Sequence, residues 1–389
     1  MLANRLRRVT RDGRWIREVD GLRFLAIASV LLFHLFRQLD THMGAPVSIE
    51  PRLWWLEQLL RNGERGVRVF FVISGMILAL PFARHYLASG KKVSLSHYYM
   101  RRLTRVEPPY IAAMTIAAIL IAVYAHGFAP GFFRHLLASL VYQHGLFYGQ
   151  LNPLNPAAWS LEVEIQFYIL APLLMMSYRI RPATLRRGVM LAVIFALPLA
   201  QQPIYTRERV YLSIAFYLQY FLTGLLVADI FILDLEKIRV SWIWDLVGFA
   251  ALAAIFWPRP HAFWAHAVLP IPIASLFLAA MRGTVVRAFF SNTWVAVVGG
   301  MCYSIYLLHL AAIALVFKFT RHAMIPDANF FINYSIQLLL TAVPAVMLCA
   351  VFFVLVERPC MDPDWPAKLW HRLTGRPARE LAVMDTSGF

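Results

Sequence analysis

The chain has 389 residues, of which 60% are hydrophobic and only 15% are charged, and its mean hydropathy is +0.60. This composition excludes an ordinary soluble globular domain and indicates a membrane protein built from apolar helices. The formal net charge is +16, but the basic residues stand between the apolar runs, which favours contact with membrane lipids over nucleic-acid binding. The three cysteines are dispersed, so the sequence predicts neither a disulfide framework nor a metal site.

Apolar runs of the length that crosses a bilayer, about 17–25 residues, recur along the chain. They predict an all-α polytopic membrane protein with about ten transmembrane helices, of which 188–202 and 243–257 are short. The predicted spans are 22–38, 66–84, 108–126, 157–177, 188–202, 210–232, 243–257, 266–281, 294–318 and 331–356. The segment 132–148 is less apolar and contains His135 and His144, so we predict a re-entrant or surface helix there.

The distribution of Lys and Arg predicts the orientation of these spans, because cytoplasmic loops of membrane proteins are enriched in both residues. With both termini in the cytoplasm, the inner segments carry 25 Lys and Arg residues and the outer loops carry 8. We therefore predict that residues 1–360 form a transmembrane domain and that residues 361–389 form a short basic cytoplasmic tail.

The first span, within the sequence RFLAIASVLLFH, carries two ionisable side chains, Arg23 and His34. Their separation makes about three helical turns, so both side chains lie on one face of the helix, about 16 Å apart along its axis. Ionisable residues inside lipid are costly and usually face the bundle interior, where they mark functional sites. For His34 alone, a polar contact between helices is an equally good explanation.

Three other polar residues fall inside apolar spans: Ser74, Glu164 and His309. At about 1.5 Å per residue, each lies within about 6–14 Å of the outer boundary, as His34 does. Four polar groups from four helices at one depth predict a site. The histidines and the glutamate among these residues also suit general base catalysis. There an imidazole takes a proton from a hydroxyl and a carboxylate orients the imidazole.

A basic cluster, Arg101, Arg102 and Arg105, precedes the third span in the sequence YYMRRLTRVEPPY. Guanidinium groups bind phosphate oxygens through two hydrogen bonds at once, so this cluster is suited to a polyanionic ligand at the cytoplasmic mouth of the bundle. Arginines beside a membrane more often anchor a helix to lipid headgroups, and on charge alone that interpretation is the stronger one.

Taken together, these motifs resemble those of membrane acyltransferase family 3, whose members are integral-membrane O-acyltransferases acting on surface polysaccharides and other acceptors. The matching stretches run in the family's order from Asp20 to Pro359: VDGLRFLAIASVLLFH, GVRVFFVISGMIL, YYMRRLTRVEPPY, NPAAWSLEVEIQFYIL, GGMCYSIYLLHL and VERP. Two positions differ from the family's pattern: Ile165 stands where a second glutamate is common, and Met76 stands where phenylalanine is common.

The resemblance implies ten transmembrane helices in a bacterial inner membrane, an acyl-CoA donor, commonly acetyl-CoA, and no permanently bound cofactor. It implies that His34 is the essential histidine, preceded by Arg23 in the family's Arg-x10-His pattern. Glu164 matches the family's glutamate, which follows Trp159 and Ser160.

Arg102 and Arg105 match the family's Arg-x-x-Arg element, which is expected to contact the donor, and Arg101 adjoins them. Five residues in the matching stretches are candidates for substrate contact or structural support: Ser74, Trp159, Ser160, Tyr303 and His309. Packing explains Tyr303 as well as substrate contact does.

The two clusters predict a mechanism in which acyl-CoA binds from the cytoplasm, with its phosphates on Arg102 and Arg105 and its pantetheine arm directed toward His34. There the imidazole, oriented by Glu164 or another acid, deprotonates a hydroxyl of a carbohydrate or glycolipid acceptor. An acyl-histidine intermediate would use the same residues. The thioester is already activated, so this chemistry requires neither a metal nor a redox cofactor.

Two other functions fit part of the pattern. A secondary transporter also uses intramembrane His, Glu and Arg residues, but it gives no reason for the basic mouth, and no repeated broken helices are visible in the sequence. A membrane scaffold without catalysis is disfavoured because the candidate residues occur together. Surface polysaccharide is the default acceptor, and periplasmic glucans, lipid-linked sugars and small glycosylated metabolites are alternatives.

Overall fold

The computed structural model describes residues 6–8, 15–43, 51–124, 127–128, 130–204, 206–257, 262–326, 328–362, 365–366 and 368. Within these residues the structure is helical and contains no β-strand, which confirms the predicted all-α class. The predicted tail, 361–389, lies almost entirely outside the described residues.

The α-helices are α1 (Arg17–Met43), α2 (Trp54–Arg61), α3 (Gly66–Leu87), α4 (Leu95–Tyr124), α5 (Phe132–Leu140), α6 (His144–Tyr148), α7 (Trp159–Leu174), α8 (Ala183–Gln201), α9 (Glu208–Tyr211), α10 (Ile214–Leu233), α11 (Ile243–Phe256), α12 (Ala262–Val268), α13 (Pro270–Arg282), α14 (Val285–Phe290), α15 (Thr293–Gly300), α16 (Cys302–Thr320), α17 (Phe330–Gln337), α18 (Val343–Phe352) and α19 (Arg358–Cys360). A 3₁₀ turn at Asn62–Arg65 joins α2 to α3. Two π-helical turns, Leu338–Ala342 and Phe353–Glu357, join α17, α18 and α19 into one rod.

Eight helical rods among the described residues are long and apolar enough to cross a membrane: Arg17–Met43, Trp54–Leu87, Leu95–Val123, Pro156–Arg179, Ala183–Ile204, Glu208–Leu233, Cys302–Ala323 and Phe330–Cys360. Two shorter apolar helices, Ile243–Phe256 and His266–Arg282, occupy the positions of two further predicted spans. The predicted polytopic membrane architecture is therefore confirmed, whereas the count of ten spans and the side on which the termini lie stay predictions.

The basic cluster lies inside a helix rather than before one. α4 begins at Leu95, well ahead of the predicted start of the third span at residue 108, and it continues through Pro108 and Pro109. Arg102 and Arg105 therefore lie one turn apart on the same helical face.

The segment 132–148 forms two short helices, α5 and α6, and neither is long enough to cross a bilayer. A turn with a φ of 57° at Tyr142 separates them. His144 is fully buried, and its Nε2 lies 2.8 Å from His135 Nδ1. The backbone N–H of Gly145 donates a hydrogen bond to Glu162 on α7 at 2.8 Å. The segment therefore folds against the bundle.

The centre of the bundle is the crossing of α3 and α10, where two glycines bring the helices into direct contact. A Cβ atom on Gly75 would lie 2.3 Å from the carbonyl oxygen of Phe221, and one on Gly224 would lie 2.3 Å from that of Val72. Both distances are too short for real contacts, so this helix separation requires glycine at both positions. Lipid supplies no hydrophobic driving force between helices, so close packing of this kind stabilises the pair.

Candidate active site

A cavity of about 190 Å³ lies between α1, α3, α4, α7 and α16, and we call it the arginine cavity. Five arginines line it: Arg8, Arg23, Arg101, Arg102 and Arg105. The other polar residues of its lining are Ser74, Ser160, Glu164, Tyr168, Cys302, Tyr303, Tyr306 and Glu357. The cavity thus joins the basic cluster to an intramembrane carboxylate. We call the end of the bundle at which α1 begins the arginine end, and the opposite end the histidine end.

A carboxylate held by two hydroxyl groups forms the acidic part of the arginine cavity. Ser74 Oγ on α3 and Tyr168 Oη on α7 both donate hydrogen bonds to Glu164 Oε1, at 2.5 and 2.6 Å. Tyr168 follows Glu164 by one helical turn, which places both side chains on the same face of α7. The other carboxylate oxygen, Oε2, has no hydrogen-bond partner among the described residues, so it can accept a hydrogen bond from a ligand in the cavity.

Asp20, in the first turn of α1, positions two of the arginines. Its carboxylate forms an ion pair with Arg23, and its Oδ1 lies 3.5 Å from an Arg8 nitrogen. Trp15 Nε1 donates a hydrogen bond to its other oxygen at 2.7 Å. The Asp20 side chain is only 3% exposed, and these partners satisfy a charge that would be costly to bury alone. The pairing holds Arg8 and Arg23 at the cavity wall.

Arg102 and Arg105 present positive charge to the arginine cavity from α4. Arg102 donates a hydrogen bond to the backbone carbonyl of Tyr98 at 3.0 Å, and its guanidinium lies 4.0 Å from the centre of the Tyr98 ring. Neither arginine forms an ion pair with a carboxylate within the part of the chain that the structure describes. Their hydrogen-bonding forks are therefore suited to an anionic ligand.

Tyr306 on α16 fixes the start of α7 beside the cavity. Its Oη donates a hydrogen bond to the carbonyl oxygen of Ala157 at 2.5 Å and accepts hydrogen bonds from Ser160 Oγ and Leu161 N, each at 3.1 Å. The Ser160 hydroxyl is therefore engaged in joining α7 to α16.

The break between α15 and α16 forms one wall of the cavity. Cys302 lines the cavity at this break. Glu357 accepts hydrogen bonds from the Ser304 backbone N–H and hydroxyl, at 2.9 and 2.5 Å. Tyr303 Oη donates to the Val106 carbonyl at 2.9 Å, which ties α16 to α4. These contacts hold the wall at the arginine end.

Trp159, the first residue of α7, lies outside the lining of the cavity. Its ring centre lies 5.3 Å from that of Tyr217 and 5.9 Å from that of Tyr211, on which it stacks. The indole thus packs the start of α7 against α9 and α10, which supports the position of Glu164 one turn later.

His34 and His309 form a pair of their own, and neither lines the arginine cavity. Their ring centres lie 5.0 Å apart. His309 Nδ1 lies 3.0 and 2.8 Å from the carbonyl oxygens of Ile305 and Tyr306, so we assign the ring hydrogen to this nitrogen. His309 Nε2 is buried without a partner among the described residues, so it offers a lone pair inside the bundle.

The structure does not bring Glu164 into contact with His34, because the two residues lie at different depths. A Cβ atom on Gly66 would lie 2.3 Å from Ser29 Oγ, so these two positions share one level. Ser74 lies farther toward the arginine end and His34 farther toward the histidine end, and their Cα atoms are about 20 Å apart along the helix axes. The single depth expected from the sequence is therefore wrong, because the helical rod containing α3 continues outward through α2 instead of ending at residue 66.

The structure thus gathers most of the sequence-predicted residues in one cavity. It adds three that are not among them, Arg8 and Tyr168 in the lining and Asp20, which pairs with the lining arginines. Tyr168 follows Glu164 by four residues and Asp20 precedes Arg23 by three, so helical spacing was a usable signal for both. Arg8 has no such signal, because membrane orientation alone explains a basic N-terminal segment.

Comparison with known proteins gives a consistent family assignment. The family profile described as "Acyltransferase domain" matches residues 16–356. O-acetyltransferase OatA of Staphylococcus aureus (strain NCTC 8325 / PS 47) is 26% identical over 382 residues, which cover 91% of this chain and 58% of the relative. A protein of S. aureus (strain COL) provisionally named O-acetyltransferase SACOL0978 is 25% identical over 361 residues, covering 84% of this chain and 55% of the relative. The chain therefore spans less than two thirds of the length of these relatives. No solved structure matches it.

Proposed function

Since the chain belongs to acyltransferase family 3, we propose that it is a membrane O-acyltransferase that moves an acyl group, acetyl in the simplest case, from acyl-CoA to a carbohydrate hydroxyl. The observation that carries this proposal is the arginine cavity, in which basic side chains and a hydroxyl-bound carboxylate share one space. We take a bacterial inner membrane as the location and a cell-surface polysaccharide or a glycolipid as the acceptor.

Charge and lining together support acyl-CoA as the donor. Its phosphate groups are polyanionic, and Arg8, Arg102 and Arg105 offer guanidinium groups to them at the arginine end. Apolar side chains such as Ile77 line the space between these arginines and Glu164, and they suit the flexible, mostly uncharged pantetheine arm. Glu164 Oε2 is available to accept a hydrogen bond from an amide N–H of that arm.

The histidine pair supplies the base for transfer. An imidazole nitrogen of His34, which has His309 beside it, takes the proton of the acceptor hydroxyl while the hydroxyl oxygen attacks the thioester carbonyl carbon. The C–S bond then breaks, and the CoA thiolate receives the proton from the imidazolium. In the alternative route, a His34 nitrogen attacks the thioester carbonyl carbon first, the C–S bond breaks and CoA leaves as the thiolate. The acceptor hydroxyl then attacks the acyl-histidine, the N–C bond breaks, and the hydroxyl proton passes to the released imidazole. Both routes require the thioester to lie between Glu164 and the histidines.

The test uses radiolabelled acetyl-CoA on membranes containing the wild type, His34→Ala or His42→Ala. His42 lies near the end of the same helix and serves as a matched control. We expect label in extractable glycan with the wild type and with His42→Ala, and none with His34→Ala. Label retained on protein when no acceptor is present would identify the acyl-histidine route.

Two results would contradict parts of this proposal separately. If folded wild-type protein transfers label to no fraction, the acyltransferase function with this donor is wrong. If His34→Ala transfers label as fast as the wild type, the assignment of His34 is wrong, although the activity stands.

A further inference from the structure

A second recess lies at the arginine end, between the ends of α3 and α10 and the start of α8. Its volume is about 490 Å³, and its lining includes Tyr86, Arg179, Arg181, Ala183 and Arg186. It shares no lining residue with the arginine cavity. Nothing in the acyl-transfer mechanism uses it.

Arg186 is the buried charge of this recess, and its side chain is 1% exposed. Its Nε donates to Asp229 Oδ2 at 2.5 Å, and its Nη1 donates to the carbonyl oxygens of Ile180 and Arg181 at 2.7 and 3.2 Å. Its remaining nitrogen, Nη2, is buried and has no partner among the described residues. A buried guanidinium nitrogen without a partner is unfavourable, so this atom indicates a missing acceptor.

The start of α8 adds further donors to the same recess. α8 begins at Ala183, which lines the recess, and no side chain caps its first turn. The backbone N–H groups at the start of a helix and its positive dipole end favour anions. Asp229 and Asp234 balance the charges of Arg186 and Arg187, so the net positive charge of the recess comes from Arg179 and Arg181, which form no ion pair among the described residues.

We propose that this recess binds the phosphate group of an anionic phospholipid. Phosphate oxygens accept hydrogen bonds from Arg186 Nη2 and the first turn of α8, and the exposed Arg179 and Arg181 add charge-assisted contacts. On the outward face of α8, Leu185 is 57% exposed and Val189 is 41% exposed. These side chains continue from the recess along the surface that faces lipid, so they suit acyl chains. A free phosphate ester carries the same charged group, but it has no acyl chains to contact Leu185 and Val189.

The test titrates purified full-length protein in detergent with short-chain phosphatidylglycerol and, separately, with glycerol phosphate, and follows binding by native mass spectrometry. The main variant is Arg179→Gln with Arg181→Gln, since both residues are exposed and neither forms an ion pair among the described residues. Its matched control is Lys91→Gln with Lys92→Gln, which removes two exposed charges outside the recess. A second variant, Arg186→Lys, keeps a cation for Asp229 but loses the Nη2 donor.

We expect phosphatidylglycerol to bind the wild type and the lysine control equally, and to bind both arginine variants about tenfold more weakly because charge-assisted hydrogen bonds are lost. If glycerol phosphate binds as tightly as the lipid, the phosphate site stands but the lipid assignment is wrong. If the lysine control loses as much affinity as the arginine variants, or if no variant loses any, the recess is not the binding site.

Discussion

Ser74 on α3 donates a hydrogen bond to Glu164 on α7 at 2.5 Å, and the Tyr168 hydroxyl donates to the same oxygen atom. The direction of this carboxylate is therefore fixed by two separate helices before any ligand enters the arginine cavity. Preorganised polar groups of this kind stabilise a bound or reacting molecule without the cost of reorientation. Because Arg23 lines the same cavity, the carboxylate and the basic wall face the same space.

We predict that Ser74→Ala and Tyr168→Phe each lower kcat/KM for acetyl transfer about tenfold, since each removes a hydrogen bond to a charged oxygen. Either donor alone still orients Glu164, so the double variant should lose more activity than the product of the two single losses. Steady-state transfer from acetyl-CoA measures all three. Ser335→Ala removes an exposed hydroxyl that bonds only its own helix, and it serves as the control. If the activity loss of the double variant equals the product of the two single losses, Ser74 and Tyr168 do not share the role of orienting Glu164.

We predict that Arg102→Gln and Arg105→Gln raise the KM for acetyl-CoA and leave the KM for acetyl-pantetheine nearly unchanged, because acetyl-pantetheine lacks the nucleotide phosphates. Each lost charge-assisted contact corresponds to an increase of about tenfold. Arg134→Gln, an exposed arginine on α5, is the matched control. Equal weakening of both donors would show that these arginines hold the bundle together instead of binding phosphate.

The sequence was sufficient to predict the membrane architecture because long apolar runs leave little alternative to helices in lipid. The same runs place Glu164 on a helix, but they place the basic cluster before the third span, whereas the structure includes it in α4. Both line one cavity. The predicted depth of Ser74 is wrong. The prediction takes residue 66 as the outer end of its helix, whereas the helical rod begins at Trp54. Where a helix leaves the membrane is decided by what it packs against, and that information is absent from hydropathy.

The sequence also missed the contribution of the N-terminal segment. Arg8 reaches the cavity because Asp20 and Trp15 form a buried polar contact at the start of α1. Membrane orientation alone explains a basic segment of this kind, so the sequence does not indicate which of its arginines faces the cavity. Such a contact between a terminal segment and a helix is decided by tertiary packing.

We predict that CoA protects Cys302 from maleimide. Cys302 lines the arginine cavity, whereas Cys349 and Cys360 are buried elsewhere, so Cys302 should be the first of the three to react. In the proposed function, bound CoA fills the same space, so the modification rate should fall in proportion to the fraction of protein occupied. Peptide mass spectrometry measures the rate at each cysteine. Protection should require more CoA in Arg102→Gln, and protection that is identical in this variant would place the nucleotide elsewhere.

The imidazole pair of His135 and His144, in which His144 is fully buried, predicts a loss of stability in acid. Burial, and next the neighbouring His135, hold the pKa of His144 below its ordinary value of 6.5. The unfolded chain therefore binds a proton at this position more readily than the folded one, so stability falls as pH drops below about 6.5. His144→Gln keeps a polar group beside His135 but cannot be protonated, so its Tm should depend less on pH than the wild-type Tm does between about pH 7.5 and 5. Thermal unfolding in detergent measures this dependence, with His85→Gln, a histidine that bonds the Gly90 carbonyl, as the control. A pH dependence in His144→Gln as steep as in the wild type would assign the acid sensitivity to other groups.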